Sequence, residues 1–141
     1  MSRTKVEHIS RECHDMRKAI AALLISGLVC GAASALAGES DVLDVSVRQS
    51  GDGTYSFSVT VTHSDAGWDH YANRWQVVAP DGSVLGERIL LHPHDNEQPF
   101  TRSLSGVVIP DGVDEVTVRA GDSVHDFGGV ELRTGLPLVG N

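Results

Sequence analysis

Five histidines in the second part of the chain have the residue type and spacing to bind a metal ion: His63, His70, His92, His94 and His125. Imidazole is the commonest protein ligand for copper(II), zinc and nickel, and it must be neutral to bind. His92 and His94 flank Pro93, which favours an extended backbone and lets both rings lean to the same side. We therefore expect these histidines to form a site for copper(II) or zinc.

Several carboxylates near the histidines are candidates for oxygen ligands or for partners that orient the imidazole rings. They are Asp69, Asp95, Glu97 and Asp126. Loop histidines also form hydrogen bonds that merely hold a long loop in shape, so a structural role is the competing interpretation. A third alternative is a metal-free recognition module that binds a protein or glycan through Trp68, Tyr71 and Phe127 in the same loops.

The elements that must position these residues are β-strands. Apolar residues alternate with polar ones over residues 55–63, which predicts a half-buried strand. Similar patterns predict six further strands, over residues 43–47, 75–79, 84–91, 100–109, 115–120 and 130–136. We expect an all-β, seven-stranded sandwich of the immunoglobulin or fibronectin-III type. Its predicted core comprises Leu43, Val45, Phe57, Val59, Val61, Trp75, Val77, Leu104, Val116, Val118 and Leu132.

The connections between the predicted strands fall into two kinds. Three are tight turns built from Gly51-Asp52-Gly53, Pro80-Asp81-Gly82 and Pro110-Asp111-Gly112. The other three, at residues 63–74, 92–99 and 122–129, hold all five candidate histidines. Because an antiparallel sandwich reverses its chain at alternate ends, these three loops should lie together at one end.

The first part of the chain has the composition of a leader. Residues 19–37 carry no charge, follow Arg17-Lys18 and end in Ala35-Leu36-Ala37, the pattern that signal peptidase cleaves. We expect a signal peptide over residues 1–37 and a β-sandwich domain over 38–141, in the periplasm or secreted. Acidic residues before position 16 are unusual in a leader, so Met16 is an alternative start. Val29 precedes Cys30 where lipidation requires a small residue, which argues against a lipid anchor.

The composition of residues 38–141 excludes several classes of partner. This part has no lysine and no cysteine, and its six arginines and sixteen acidic residues give a net charge of −10 before histidine is counted. Nucleic acid and anionic membranes are polyanions, so we do not expect either as a partner of this negatively charged domain. No stable membrane insertion is expected after cleavage. The serines lack a nucleophile-elbow context and no glycine-rich phosphate loop is present, so a non-catalytic protein is favoured.

The stretch from residue 68 to 129, with WDHYANRW, LHPHDNEQPFTRSL and DSVHDFGG, resembles a group of short, uncharacterised, exported bacterial β-sandwich proteins. The resemblance covers most of the domain and implies a secreted β-sandwich without indicating an activity. Copper/zinc superoxide dismutases and superoxide reductases are poorer matches, because the domain lacks the disulfide of the former and the thiolate ligand of the latter. Small periplasmic copper carriers are the closest functional analogy, although fold alone does not imply function.

Overall fold

The computed structural model describes residues 38–137, and the predicted signal peptide, the alternative start at Met16 and Cys30 lie outside this range. The described residues form strands and loops only: β1 (Asp41–Gln49), β2 (Tyr55–Thr62), β3 (Ala72–Val78), β4 (Val84–Ile89), β5 (Phe100–Val107), β6 (Glu115–Asp122), β7 (Asp126–Phe127) and β8 (Leu132–Gly135). Between residues 38 and 137 no helix is long and apolar enough to cross a membrane.

The strands form two antiparallel sheets, which agrees with the predicted β-sandwich. One sheet has the order β1-β2-β5, and the other has the order β4-β3-β6-β7, with β8 pairing to the opposite end of β6. Apolar side chains of both sheets meet in one hydrophobic cluster that contains Phe57, Val59, Trp75 and Val118. The immunoglobulin or fibronectin-III type of this sandwich stays a prediction.

Two strands, β2 and β6, bury every second side chain. Phe57, Val59 and Val61 of β2 are fully buried, and the residues between them are only partly buried. In β6, the even-numbered positions from Val116 to Asp122 are buried in the same manner. Each strand therefore carries its inward phase to the end of the sandwich where the histidine-bearing loops begin.

Two sequence-based expectations about the strands were wrong. Leu43 is 51% exposed while Val42 is 1% exposed, because a register shift between Val42 and Asp44 in the β1–β2 pairing turns Leu43 outward. Residues 38–137 contain eight strands instead of seven, because residues 126–127, expected in a loop, pair with the end of β6 as β7. The Phe127 ring is held there by the guanidinium groups of Arg119 and Arg74, which lie 4.2 and 4.8 Å from its centre.

Candidate metal centre

The three histidine-bearing loops are hydrogen-bonded to one another at one end of the sandwich. The Gly67 N–H of the β2–β3 loop donates to Asp95 Oδ1 of the β4–β5 loop at 3.1 Å. The Ser123 N–H, after β6, donates to the Tyr71 carbonyl at 3.0 Å. The His63 N–H donates to Gln98 Oε1 at 3.0 Å. These bonds bring side chains that are far apart in sequence within reach of one another.

His63 is positioned by the strand that precedes it and by one carboxylate. It continues the inward phase of β2 and is 4% exposed. Its Nδ1 lies 2.6 Å from Asp65 Oδ1; in the neutral ring Nδ1 would therefore carry the proton that is donated to this carboxylate, and Nε2 would carry the lone pair. Asp65 also accepts hydrogen bonds from the Ala72 and His94 backbone N–H groups. This carboxylate therefore both orients the imidazole and ties two loops together.

His70 and Asp122 face the free side of the His63 ring. His63 Nε2 lies 3.3 Å from His70 Nε2, and His70 Nε2 lies 3.1 Å from Asp122 Oδ1. Asp122 Oδ2 is 3.9 Å from His63 Nε2. The potential ligand atoms of these three residues all lie within 4.8 Å of one another, and within residues 38–137 they form the group best arranged to hold a metal ion.

The two oxygens of Asp122 have very different surroundings. Oδ1 accepts hydrogen bonds from the Val124 and His125 N–H groups at 2.8 and 2.7 Å, in addition to its contacts with the imidazoles. Oδ2 is buried and has no hydrogen-bond partner within the described residues. Burial alone would raise the pKa of Asp122, but the two backbone donors and the nearby charges of His125 and His63 lower it below its usual value. The carboxylate is therefore held ionised, with one oxygen available to a cation.

His125 borders this group on the solvent side. Its Nδ1 lies 3.3 Å from Asp122 Oδ1, and its ring centre is 4.9 Å from that of His70. Its side chain is 40% exposed, whereas those of His63 and Asp122 are fully buried. His125 therefore contacts the carboxylate but stands at the edge of the group.

His92 and His94 form a separate pair. Their ring centres are 4.7 Å apart, and the His94 ring stacks on Phe100 at 3.9 Å. Burial, followed by the positive charges of Arg102 and His92, lowers the pKa of His94, and neither of its buried ring nitrogens has a hydrogen-bond partner in the part of the chain that the structure describes. The pair lines an open cleft of about 250 Å³ that also contains Glu97 and Arg102. Within residues 38–137, the group of three potential ligands that lie close together is His63, His70 and Asp122, and it does not include this pair.

Three of the four carboxylates predicted near the histidines have other partners. Asp95 accepts the Gly67 N–H, Glu97 pairs with Arg102 at 2.9 Å, and Asp126 pairs with Arg74. The fourth, Asp69, is exposed.

The carboxylates that do contact the imidazoles, Asp65 and Asp122, were missed by sequence reasoning. Period-two alternation could have identified both. Asp122 falls on the buried side of β6, as His63 does for β2. Asp65 lies two residues after His63 and therefore has the same phase.

Comparison with known proteins adds one relative. No family model matches the chain, and no solved structure matches it. The chain is 44% identical over 91 residues to a protein of Halomicrobium mukohataei that carries the name "Putative lipoprotein". The similarity covers 64% of this chain and 44% of that protein, so the chain spans less than half the length of this relative.

Proposed function

We propose that this chain is an exported, non-catalytic protein that binds one copper(II) or zinc ion through His63, His70 and Asp122. The observation that carries the proposal is the buried Asp122 Oδ2, which has no hydrogen-bond partner within residues 38–137 and lies beside two converging imidazole Nε2 atoms. A buried, unpaired carboxylate oxygen costs free energy, and a bound cation would remove that cost.

The distances within the group suit a first-row metal. With metal–nitrogen bonds of about 2.0–2.1 Å, two ligands of a tetrahedral site lie about 3.3–3.4 Å apart. The Nε2 atoms of His63 and His70 are separated by 3.3 Å. Asp65 bonds to His63 Nδ1 in the way that an outer carboxylate orients a metal-binding imidazole.

The chemistry of the ligands favours a divalent ion. Both cysteines and both methionines of the chain lie within residues 1–30, so residues 38–141 have no sulfur ligand. Thiolate and thioether ligands select copper(I), whereas imidazole and carboxylate suit zinc and copper(II). The net charge of −10 on this part of the chain further favours a cationic ligand.

The competing structural interpretation accounts for part of the group. The His63–Asp65 and His70–Asp122 contacts would hold the loops together without any metal. A hydrogen bond between the Nε2 atoms of His63 and His70, 3.3 Å apart, fits the same interpretation. That interpretation leaves Oδ2 of Asp122 without a hydrogen-bond partner among the described residues, whereas a bound metal ion would pair with this oxygen.

Export is part of the proposal. The name of the Halomicrobium mukohataei relative supports a place in the cell envelope, and residues 1–37 have the pattern of a signal peptide. Bacterial origin and the choice between periplasm and secretion stay predictions.

The experiment is calorimetric titration of residues 38–141 with copper(II) and zinc at pH 7.5, accompanied by elemental analysis. We expect one ion per chain, and we expect His63→Gln, His70→Gln and Asp122→Asn each to lose most of the affinity. Binding should also weaken from pH 7.5 to 5.5, because imidazole has a pKa of about 6.5 and must be neutral to coordinate. No heat of binding and no thermal shift in the unaltered protein would exclude the proposal.

A second candidate function is a metal-free recognition module at the same loop end. It is favoured by Trp68, which is 68% exposed and packs edge-on against Tyr71 with ring centres 5.7 Å apart. Exposed aromatic pairs of this kind provide contact area for a protein or a glycan. If the titration detects no metal, Trp68→Ala becomes the variant to test, by glycan-array and pull-down binding against the unaltered domain.

A further inference from the structure

Exposure rises in steps across the residues around Asp122. The side chains of His63 and Asp122 are fully buried, that of His70 is 14% exposed and that of His125 is 40% exposed. Neighbouring rings in this series make edge-on contacts, with centres 4.7 Å apart for His63 and His70 and 4.9 Å for His70 and His125. The imidazoles therefore form a continuous path from the surface to the buried carboxylate.

His125 is attached to Asp122 in two ways. Its backbone N–H donates to Asp122 Oδ1 at 2.7 Å, and its ring Nδ1 lies 3.3 Å from the same oxygen. The backbone bond holds the turn at residues 123–125 against the end of β6 whatever the ring does. The ring itself is on the surface, where side chains change rotamer within picoseconds to nanoseconds. His125 can therefore approach or leave the Asp122 group without unfolding the turn.

We propose that His125 is the solvent-side ligand that closes the metal centre and controls exchange of the ion. This inference rests on the proposed function, since it concerns the same centre. His63, His70 and Asp122 hold the ion at the buried side, and the His125 imidazole occupies the remaining position. Three imidazoles and one carboxylate then complete a four-coordinate centre with no open position for a substrate, as in sites that hold a metal without catalysis.

The proposed role has a kinetic consequence. The His63 and Asp122 side chains are fully buried and that of His70 is 14% exposed, so we expect release of the ion to begin with the most exposed ligand, His125. Replacement of His125 should therefore speed dissociation more than it slows association, as is usual for changes within one binding site. Even outer-shell partners of a metal are worth about 10–100-fold in affinity, so loss of a ligand should increase the dissociation rate at least about tenfold.

The experiment uses the full domain, residues 38–141, loaded with zinc or copper(II) and mixed with excess EDTA in a stopped-flow instrument. His125→Ala is compared with Val124→Ala, a change in the same exposed turn that keeps the backbone bonds to Asp122. We expect release at least about tenfold faster from His125→Ala and an unchanged rate from Val124→Ala. Electron paramagnetic resonance of the copper(II) form should show three imidazole nitrogens in the unaltered protein and two in His125→Ala.

Two results would overturn the inference while leaving the proposed function in place. The first is a His125→Ala protein that binds copper(II) with the unaltered release rate and nitrogen count. The second is an equal acceleration by Val124→Ala, which would assign the effect to the turn and not to the imidazole. Failure of the unaltered protein to bind any ion would reject the proposed function itself, and the titration detects that result first. A thermal melt of each variant verifies that it is folded.

Discussion

At the scale of single residues, the protein places some of its polar groups in unusual surroundings. Asp122 Oδ2 and both ring nitrogens of His94 are buried without hydrogen-bond partners in the described part of the chain. A buried polar atom costs free energy as long as it lacks a hydrogen-bond or ionic partner. For Asp122 the adjacent imidazoles suggest a cation. For His94 the flat contact with Phe100 and the lowered pKa indicate a neutral ring that acts mainly as part of the packing.

The state of His94 predicts how stability depends on pH. Because burial lowers its pKa below the ordinary 6.5, the unfolded chain takes up a proton at higher pH than the folded protein does. The free energy of unfolding should therefore fall as pH drops below 6.5, until the pH reaches the pKa of the folded state. His94→Phe keeps an aromatic ring against Phe100 and removes the titrating group. Urea unfolding at pH 7.5 and 5.5 should show a smaller loss in this variant; equal losses would contradict the prediction.

The double variant His92→Ala/His94→Ala separates two versions of the metal hypothesis. The sequence alone predicts one site of five histidines, in which this change abolishes binding. In the structure the ligand atoms of His63, His70 and Asp122 form a group that could hold an ion without either residue, so we expect the affinity for the first ion to persist. Titration with zinc measures this affinity. A thermal melt verifies that the variant is folded in spite of the cavity left beside Phe100. Complete loss of binding in a folded variant would restore the five-histidine site.

At the scale of elements, the start of β1 is bonded to Val130, which directly follows the glycine pair after β7. The Val130 N–H donates to Asp41 Oδ1 at 2.7 Å, and the Val42 N–H donates to the Val130 carbonyl at 2.9 Å. These bonds connect the β7–β8 segment of one sheet to the edge strand of the other. The contact requires residue 129 to have no side chain, because a Cβ there would collide with the Ser40 carbonyl.

Gly129→Ala should therefore destabilise the domain. Overpacking of this kind typically costs about 1–3 kcal/mol, and here the nearest obstructing atom is the backbone carbonyl oxygen of Ser40, which cannot rotate away. Gly51→Ala is the matched control, since a Cβ at that exposed turn meets nothing within 4 Å and its φ angle is an ordinary one. Chemical unfolding of both variants measures the difference. Equal stability of the two would show that the link between the β7–β8 segment and β1 is not tight.

At the scale of the whole molecule, the predicted signal peptide would decide where the proposed metal centre works. We predict that the exported protein begins at Gly38, because Ala35-Leu36-Ala37 is the expected cleavage site. Intact-mass spectrometry of protein recovered from the cell envelope or the medium tests this directly. A mass that includes residues 16–37, or a lipid attached at Cys30, would contradict the prediction. The second result would make this chain a lipoprotein, which is the name that its relative carries.

The sequence by itself determined the class of fold and the elements that carry the histidines. Alternation of apolar and polar residues is a local signal with a period of two, and it marked the inward faces of β2, β3 and β6 correctly. The same signal failed at Leu43, because a register shift between two strands is a property of their pairing and not of one strand. It also failed at residues 126–127, which form a short strand because they pair with the end of β6.

Only the tertiary structure decided which side chains share a site. Five histidines in three loops were candidates from the sequence. The distances group His63 and His70 with the unexpected Asp122 and place His125 at the edge of this group. His92 and His94 form a separate pair beside Phe100. Residue types show which chemistry is available. Distances between loops depend on how two sheets stack and how strands pair, and these result from contacts summed over the whole domain.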